Sequence, residues 1–177
     1  MVTGTSKVHL FEEAMLPHLD AAYNLARWLT RNEQDAQDVA QEAFLRAFRF
    51  WDSFHGGDGK AWLMEVVRNT CFSWHRREKR HEHNDEFDER THSLVRESRT
   101  AEDAMVATEN RGTLRKCIDK LPDMFREVIV MRELEEMSYQ QIGKVTGLAS
   151  GTVMSRLSRA RKRLDECVNG RRREAGK

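Results

Sequence analysis

Apolar residues recur at helical spacing along two stretches of this chain and lose that rhythm between them. In the first stretch Val39, Ala43, Phe44, Ala47, Phe48 and Trp51 return close to every 3.6 residues, which predicts an amphipathic helix. Asn32 suits its N-cap, with Asp35 at the third helical position, and the helix should end near Phe50. Ahead of it a helix is predicted over 7–29, broken or kinked at Pro17. Behind it the loop 52–59 holds three glycines, and a further helix over 60–80 carries Trp62, Val66, Asn69 and Ser73 along one side. The period is then lost, and returns with Leu114, Ile118 and Leu121 as one stripe closed at Pro122. Phe125, Ile129 and Leu134 are expected to continue that core. Runs of alternating β-branched residues are absent. The pattern predicts an all-α protein of two small helical domains, 1–80 and 109–177, joined by a flexible linker over 81–108.

The last forty residues have the most specific pattern. Ser138 with Gln141 forms a capping box that opens a short helix, and Gly147 ends it in a left-handed conformation. Ile142, Val145, Leu148, Val153 and Leu157 are spaced to fill a small core between this helix and a longer one. Ser150 is expected to cap the longer helix, leaving the N–H groups around Gly151 and Thr152 to favour a phosphate. Val153, Leu157, Ala160 and Leu164 should face inward, and Thr152, Ser155, Arg156, Arg159, Lys162 and Arg163 outward. A basic helix face by itself is most simply a solvated surface. Cap, glycine turn, core pattern and basic face together read as a helix-turn-helix that enters duplex DNA, its arginines pairing with phosphates or forking onto guanine edges.

Charge sharpens that picture. The chain holds 30 basic and 29 acidic residues, but unevenly: 10 and 11 over 1–79, 4 and 8 over 80–108, and 16 and 10 over 109–177. The nucleic-acid footprint therefore lies at the C-terminal end. The helix over 60–80 interleaves Trp62, Trp74 and His75 with Arg68, Asn69, Arg76, Arg77 and Lys79, a set suited to a melted strand whose bases stack or flip out. For Trp62 a place in the core and a place beside DNA remain equally open. Cys71, Cys117 and Cys167 are odd in number and far apart, with no CxxC pair. They are expected to be unpaired thiols packed in a reducing cytoplasm. His75, His81, His83 and His92 near Glu82, Asp85 and Glu86 do not amount to a dedicated metal site. No signal peptide, membrane insertion, P-loop, GxSxG or HExxH pattern is found, so no enzyme site and no cofactor are expected.

With both blocks in view, the chain resembles a bacterial extracytoplasmic-function (ECF) sigma factor. Residues 35–48 resemble that family's core-polymerase-binding helix, residues 60–69 the helix that melts and holds the −10 element, and Leu121-Pro122, Ser138-Tyr-Gln-Gln-Ile142 and Gly151-Thr-Val-Met-Ser-Arg-Leu157 its −35-binding domain. The resemblance implies a promoter-specificity subunit that directs initiation at −35/−10 promoters, in a stress or envelope response. It implies sigma domain 2 over 1–80 and sigma domain 4 over 109–177. Core RNA polymerase would meet Asp38, Gln41, Glu42, Leu45 and Arg49. The −10 strand would meet Phe54, His55, Trp62, Arg68, Asn69, Arg76 and Arg77. The −35 duplex would meet Ser150, Gly151, Thr152, Ser155, Arg156, Arg159, Lys162 and Arg163. An anti-sigma factor is the expected off-switch, and the free chain is expected to be a monomer. Three departures bear on the −35 side: Glu136-Met137 stands where the family often has glycine, Ser150 where proline is common, and Met154 where lysine is common. The rivals are a stand-alone helix-turn-helix regulator and an interaction module without DNA.

Overall fold

The computed structural model describes the backbone of residues 4–84 and 102–175, and side chains within residues 7–78 and 111–170. Eight α-helices account for most of it: α1 (Gly4–Met15), α2 (Leu19–Thr30), α3 (Glu33–Arg49), α4 (Gly59–Asn84), α5 (Glu102–Asp119), α6 (Asp123–Ile129), α7 (Tyr139–Thr146) and α8 (Ser150–Ala175). Pro17 breaks the first predicted helix as its missing N–H requires, leaving a 3-10 turn over Leu16–His18 between α1 and α2. Asn32 caps α3, its side-chain oxygen accepting from the N–H groups of Gln34 (2.8 Å) and Asp35 (3.3 Å). Asp58 caps α4 in the same way through the Ala61 N–H at 2.9 Å. Residues 85–101, the middle of the predicted linker, lie outside the described residues; its flanks belong to α4 and α5.

Helices α2, α3 and α4 pack together around Leu25, Leu29, Val39, Leu63, Met64 and Val67. Alanines at 22, 26, 36, 40, 43 and 47 let their axes approach closely. In the C-terminal module α6, α7 and α8 enclose Val128, Ile129, Ile142, Val153 and Leu157. Two residues expected in that core are not there: Leu114 and Leu134 are nearly half exposed. Leu134 leaves it because α6 runs into a π-helical turn over Val130–Leu134, which shifts the helical period. Met131 and Met137 fill the space instead.

The two modules dock on each other, α6 against α2 and α7 against α4, so that the buried core runs through both. The junction is unusually polar. Gln141 donates to Asp58 at 2.7 Å, and Lys60 to the Glu135 carbonyl at 2.6 Å. Arg126, wholly buried, donates to the carbonyls of Ile118, Asp119 and Leu121 around the α5–α6 turn and reaches the Trp28 carbonyl at 3.5 Å. Polar junctions of this kind hold modules together yet let them separate.

Candidate nucleic-acid and polymerase interfaces

The outer face of α3 carries the five residues expected to meet polymerase. Asp38, Gln41, Leu45 and Arg49 are exposed, Leu45 by 49% although it is apolar, and Glu42 is half-buried. Arg46 donates to Glu42 at 2.7 Å, and that hydrogen bond holds the carboxyl below its ordinary range, against the smaller opposing effect of burial. The inner side of the same helix supplies Phe44 and Phe48 to an aromatic seam, so one helix both anchors the core and presents a mixed polar and apolar surface. A groove beside it, between α3 and α4, is lined by Asp38, Glu42, Trp74 and Arg77.

The −10 candidates divide into three groups. Phe54 and Trp62 are half-buried in the aromatic seam: Trp51 stacks on Phe54 at 5.1 Å, Phe54 packs on Trp62 at 5.2 Å, and Trp51 meets Trp62 edge-on at 6.2 Å. Phe54 is therefore held by its neighbours, while His55 beside it is exposed. Asn69, Arg76 and Arg77 stand exposed along α4. Arg68 does not. Its guanidinium donates to both oxygens of Glu127, at 2.6 and 3.3 Å, and lies over the Phe72 ring at 4.7 Å.

On the C-terminal side the capping box is formed in both directions, Ser138 Oγ accepting from the Gln141 N–H and the Gln141 side chain accepting from the Ser138 N–H. The turn depends on two glycines. Gly147 sits at φ +72°, where a side chain is strained. A Cβ on Gly143 would come within 2.7 Å of the Leu148 carbonyl oxygen, which the tight turn brings back against α7. Ser150 is the first residue of α8 and does not serve as its cap; the Ala149 carbonyl accepts the first N–H groups, from Thr152 and Val153. Ser150, Gly151, Thr152, Ser155, Arg159 and Lys162 are exposed along one side. One of the outward arginines departs from expectation: Arg156 is only half-exposed and turns to Glu127 at 3.3 Å, whereas Arg163 is exposed, its guanidinium over the Phe125 ring at 5.0 Å.

Glu127 is the residue that sequence reasoning missed. It is 1% exposed, sits on α6, and receives one arginine from α4 and another from α8. A buried carboxylate needs such partners, and two guanidiniums supply them. The signal was present: Arg126 and Glu127 are adjacent charges inside an otherwise apolar run from Phe125 to Met131 broken again only at Arg132. Cys117 and Cys167 are also corrected, since they form a disulfide; Cys71 is free and buried, and burial pushes its thiol up to about 12. His75 is bound to the Leu29 carbonyl at 3.0 Å, and no metal-holding cluster of three or more His, Cys, Asp or Glu occurs among the described residues. His92 lies outside the described residues, as do the side chains of His81 and His83. No described helix is long and apolar enough to cross a membrane.

Comparison with known proteins matches both modules. The Sigma-70 region 2 family covers residues 15–81, and Sigma-70, region 4 covers residues 111–164. The chain is 31% identical over 154 residues to ECF RNA polymerase sigma factor SigE of Mycolicibacterium smegmatis, covering 87% of this chain but only 60% of that longer relative. It is 34% identical over 152 residues to ECF RNA polymerase sigma factor SigW of Bacillus subtilis, covering 82% of this chain and 81% of the relative. Its fold superposes with a TM-score of 0.73 on the sigma factor RpoE from Bartonella quintana, solved with the anti-sigma factor NepR, at 28% identity over 90% of this chain and 96% of that one. Matched modules in the same order, with similarity along most of the SigW relative, place this chain in the family of ECF RNA polymerase sigma factors.

Proposed function

We propose that this chain is a cytoplasmic promoter-specificity subunit, monomeric when free, that binds core RNA polymerase through α3 and brings α4 to the −10 strand and α8 to the −35 duplex. The observation that supports this most directly is the contrast in exposure. The α3 set is open to a partner, whereas Arg68 and Arg156, one from each DNA-reading helix, share the buried Glu127. The described arrangement fits the free factor. Polymerase docks on α3 first and separates the modules, and only then do both arginines become available to phosphates. Two DNA contacts, each weak alone, then act together because polymerase sets their effective concentration. Asn69, Arg76 and Arg77 serve the −10 strand, with His55 at the loop; Phe54 and Trp62 present an aromatic edge and shape the seam beneath it. Thr152, Ser155, Arg159, Lys162, Arg163 and, once released, Arg156 serve the −35 duplex, with phosphate positioned near Ser150 and Gly151.

The Bartonella quintana relative was solved with an anti-sigma factor, and we extend that class of partner to this chain, where it would hold the modules closed. Run-off transcription with purified core polymerase tests the reading. Added protein should give promoter-dependent product while leaving duplex DNA unprotected by itself. Tight footprinting by the free chain with no product would favour the stand-alone regulator instead.

A further inference from the structure

Cys117 and Cys167, 50 positions apart in sequence, are joined by a disulfide that ties α5 to the far half of α8, with Cα atoms 5.8 Å apart. We infer that this pair is a reversible thiol–disulfide switch, oxidised by hydroperoxides, that decides whether α5 is fastened to the recognition helix. The inference rests on the proposed cytoplasmic role: in a reducing compartment a disulfide is a transient, redox-reporting bond.

Exposure sets the order of chemistry. Cys117 is 1% exposed and out of reach of a dissolved oxidant, whereas Cys167 is half-exposed near the end of α8. The Cys167 thiolate attacks the hydroperoxide; the O–O bond breaks, giving a sulfenic acid and, after protonation, an alcohol or water. The Cys117 sulfur then attacks the Cys167 sulfur. The S–S bond forms, the S–O bond breaks and water leaves. The two thiols supply the two electrons that reduce the peroxide. Cys71 has no part in this, being buried in the other module.

The position of the bond gives the switch its consequence. Among its described side chains α5 buries little besides Cys117 and Ile118, and Leu114 is 45% exposed. The end of α5 also lies against the first module. Its carbonyls at Ile118 and Asp119 are held by Arg126, which reaches Trp28, and Arg115 lies over the Trp28 ring at 5.9 Å. Oxidation fastens this weakly packed helix to α8; reduction leaves it hinged at its C-terminal end.

The test uses the full-length chain, reduced and then treated with a slight excess of hydrogen peroxide. Mass spectrometry should show a loss of 2 Da, with one thiol in place of three alkylated after denaturation. Amide exchange along α5 should slow at least tenfold, and the melting temperature should rise by at least about 5 °C, since a long loop is closed. Cys167→Ser, at the more accessible position, should show neither the mass loss nor the shift. Three titratable thiols after treatment, a gain of 32 Da at Cys167 without the bond, or unchanged α5 exchange after the bond forms would each overturn the inference. Transcription by the reduced chain is measured separately; its absence would defeat the sigma reading and leave the mass result standing.

Discussion

The outer face of α3 and the arginine-bearing faces of α4 and α8 are both charged helix surfaces, yet they spend the closed state differently. On α3 the ion pair is Glu42 with Arg46, four residues along the same helix and partly in water, a type of pair that contributes little, about 0.3–0.5 kcal/mol. Nothing has to be broken there before a partner docks. On α4 and α8, Arg68 and Arg156 converge on a carboxylate that is 1% exposed. Pulling either arginine away leaves that charge less compensated, a far larger cost. Under the proposed function the difference would order events: the α3 surface is met first, and its binding energy opens the buried arginine pair.

Reversing the α3 charges attacks that comparison at its root. The double substitution Asp38→Lys and Glu42→Lys should weaken core polymerase binding by roughly 100-fold, about 2.7 kcal/mol, because both changes reverse the charge of the proposed docking face. The fold should persist, since Asp38 is exposed and Glu42 makes only a surface pair. Fluorescence anisotropy against labelled core polymerase measures it, and normal retention of polymerase would remove α3 from the interface.

Glu127→Gln tests the other side. The amide keeps the size and some hydrogen bonds but not the charge that gathers two arginines. The free chain should then bind promoter duplex about tenfold more tightly, close to 1.4 kcal/mol, as Arg68 and Arg156 are released. Arg159→Ala, on an exposed side chain, should lower the same affinity without altering module separation. Small-angle scattering alongside a duplex titration separates the two effects. An unopened Glu127→Gln variant with unchanged DNA affinity would mean that the shared carboxylate is packing and not a latch.

Most of the framework was legible because it rests on local rules. The Asn32 cap, the Pro17 break, the Ser138–Gln141 box and the Gly147 turn are each decided by neighbours within four residues. That the outer face of α3 is exposed was legible for the same reason, as the opposite side of an apolar stripe; its reading as a docking face came from the family resemblance. What was hidden depends on contacts between distant residues. Glu127 meets Arg68 from 59 positions away, Asp58 meets Gln141 from 83, and Cys117 meets Cys167 from 50. No helical period records such pairings. Leu134 was misplaced by a local cause instead, the π-helical turn, which breaks the spacing on which the core expectation relied.

The turn between α7 and α8 offers a narrower way to sharpen the contrast. Gly143→Ala puts a methyl against the Leu148 carbonyl, a backbone atom with no rotamer to escape through. The cost should be about 1–3 kcal/mol, taken from the C-terminal module alone. Duplex binding by the assembled polymerase complex should fall while affinity for core polymerase stays within twofold. A variant that loses both equally would show that the α3 face depends on the recognition turn.

The smallest effect should be a gain. Glu136 lies at φ +54° between the π-helical turn and α7, a left-handed backbone that costs a residue with a side chain about 1–2 kcal/mol. That strain gives a physical reason for the glycine often found in this stretch of the family. Glu136→Gly removes the strain and returns about 0.5–1 kcal/mol of it as extra unfolded-state entropy. The net should be a stabilisation of about 0.5–1 kcal/mol, seen as a melting temperature raised by a few degrees. Its neighbour Glu135 holds Lys60 and Asn24 across the junction, so easing the backbone here should tighten the closed state slightly and leave α3 as it is. A lowered melting temperature would show that the Glu136 side chain contributes more than its backbone costs.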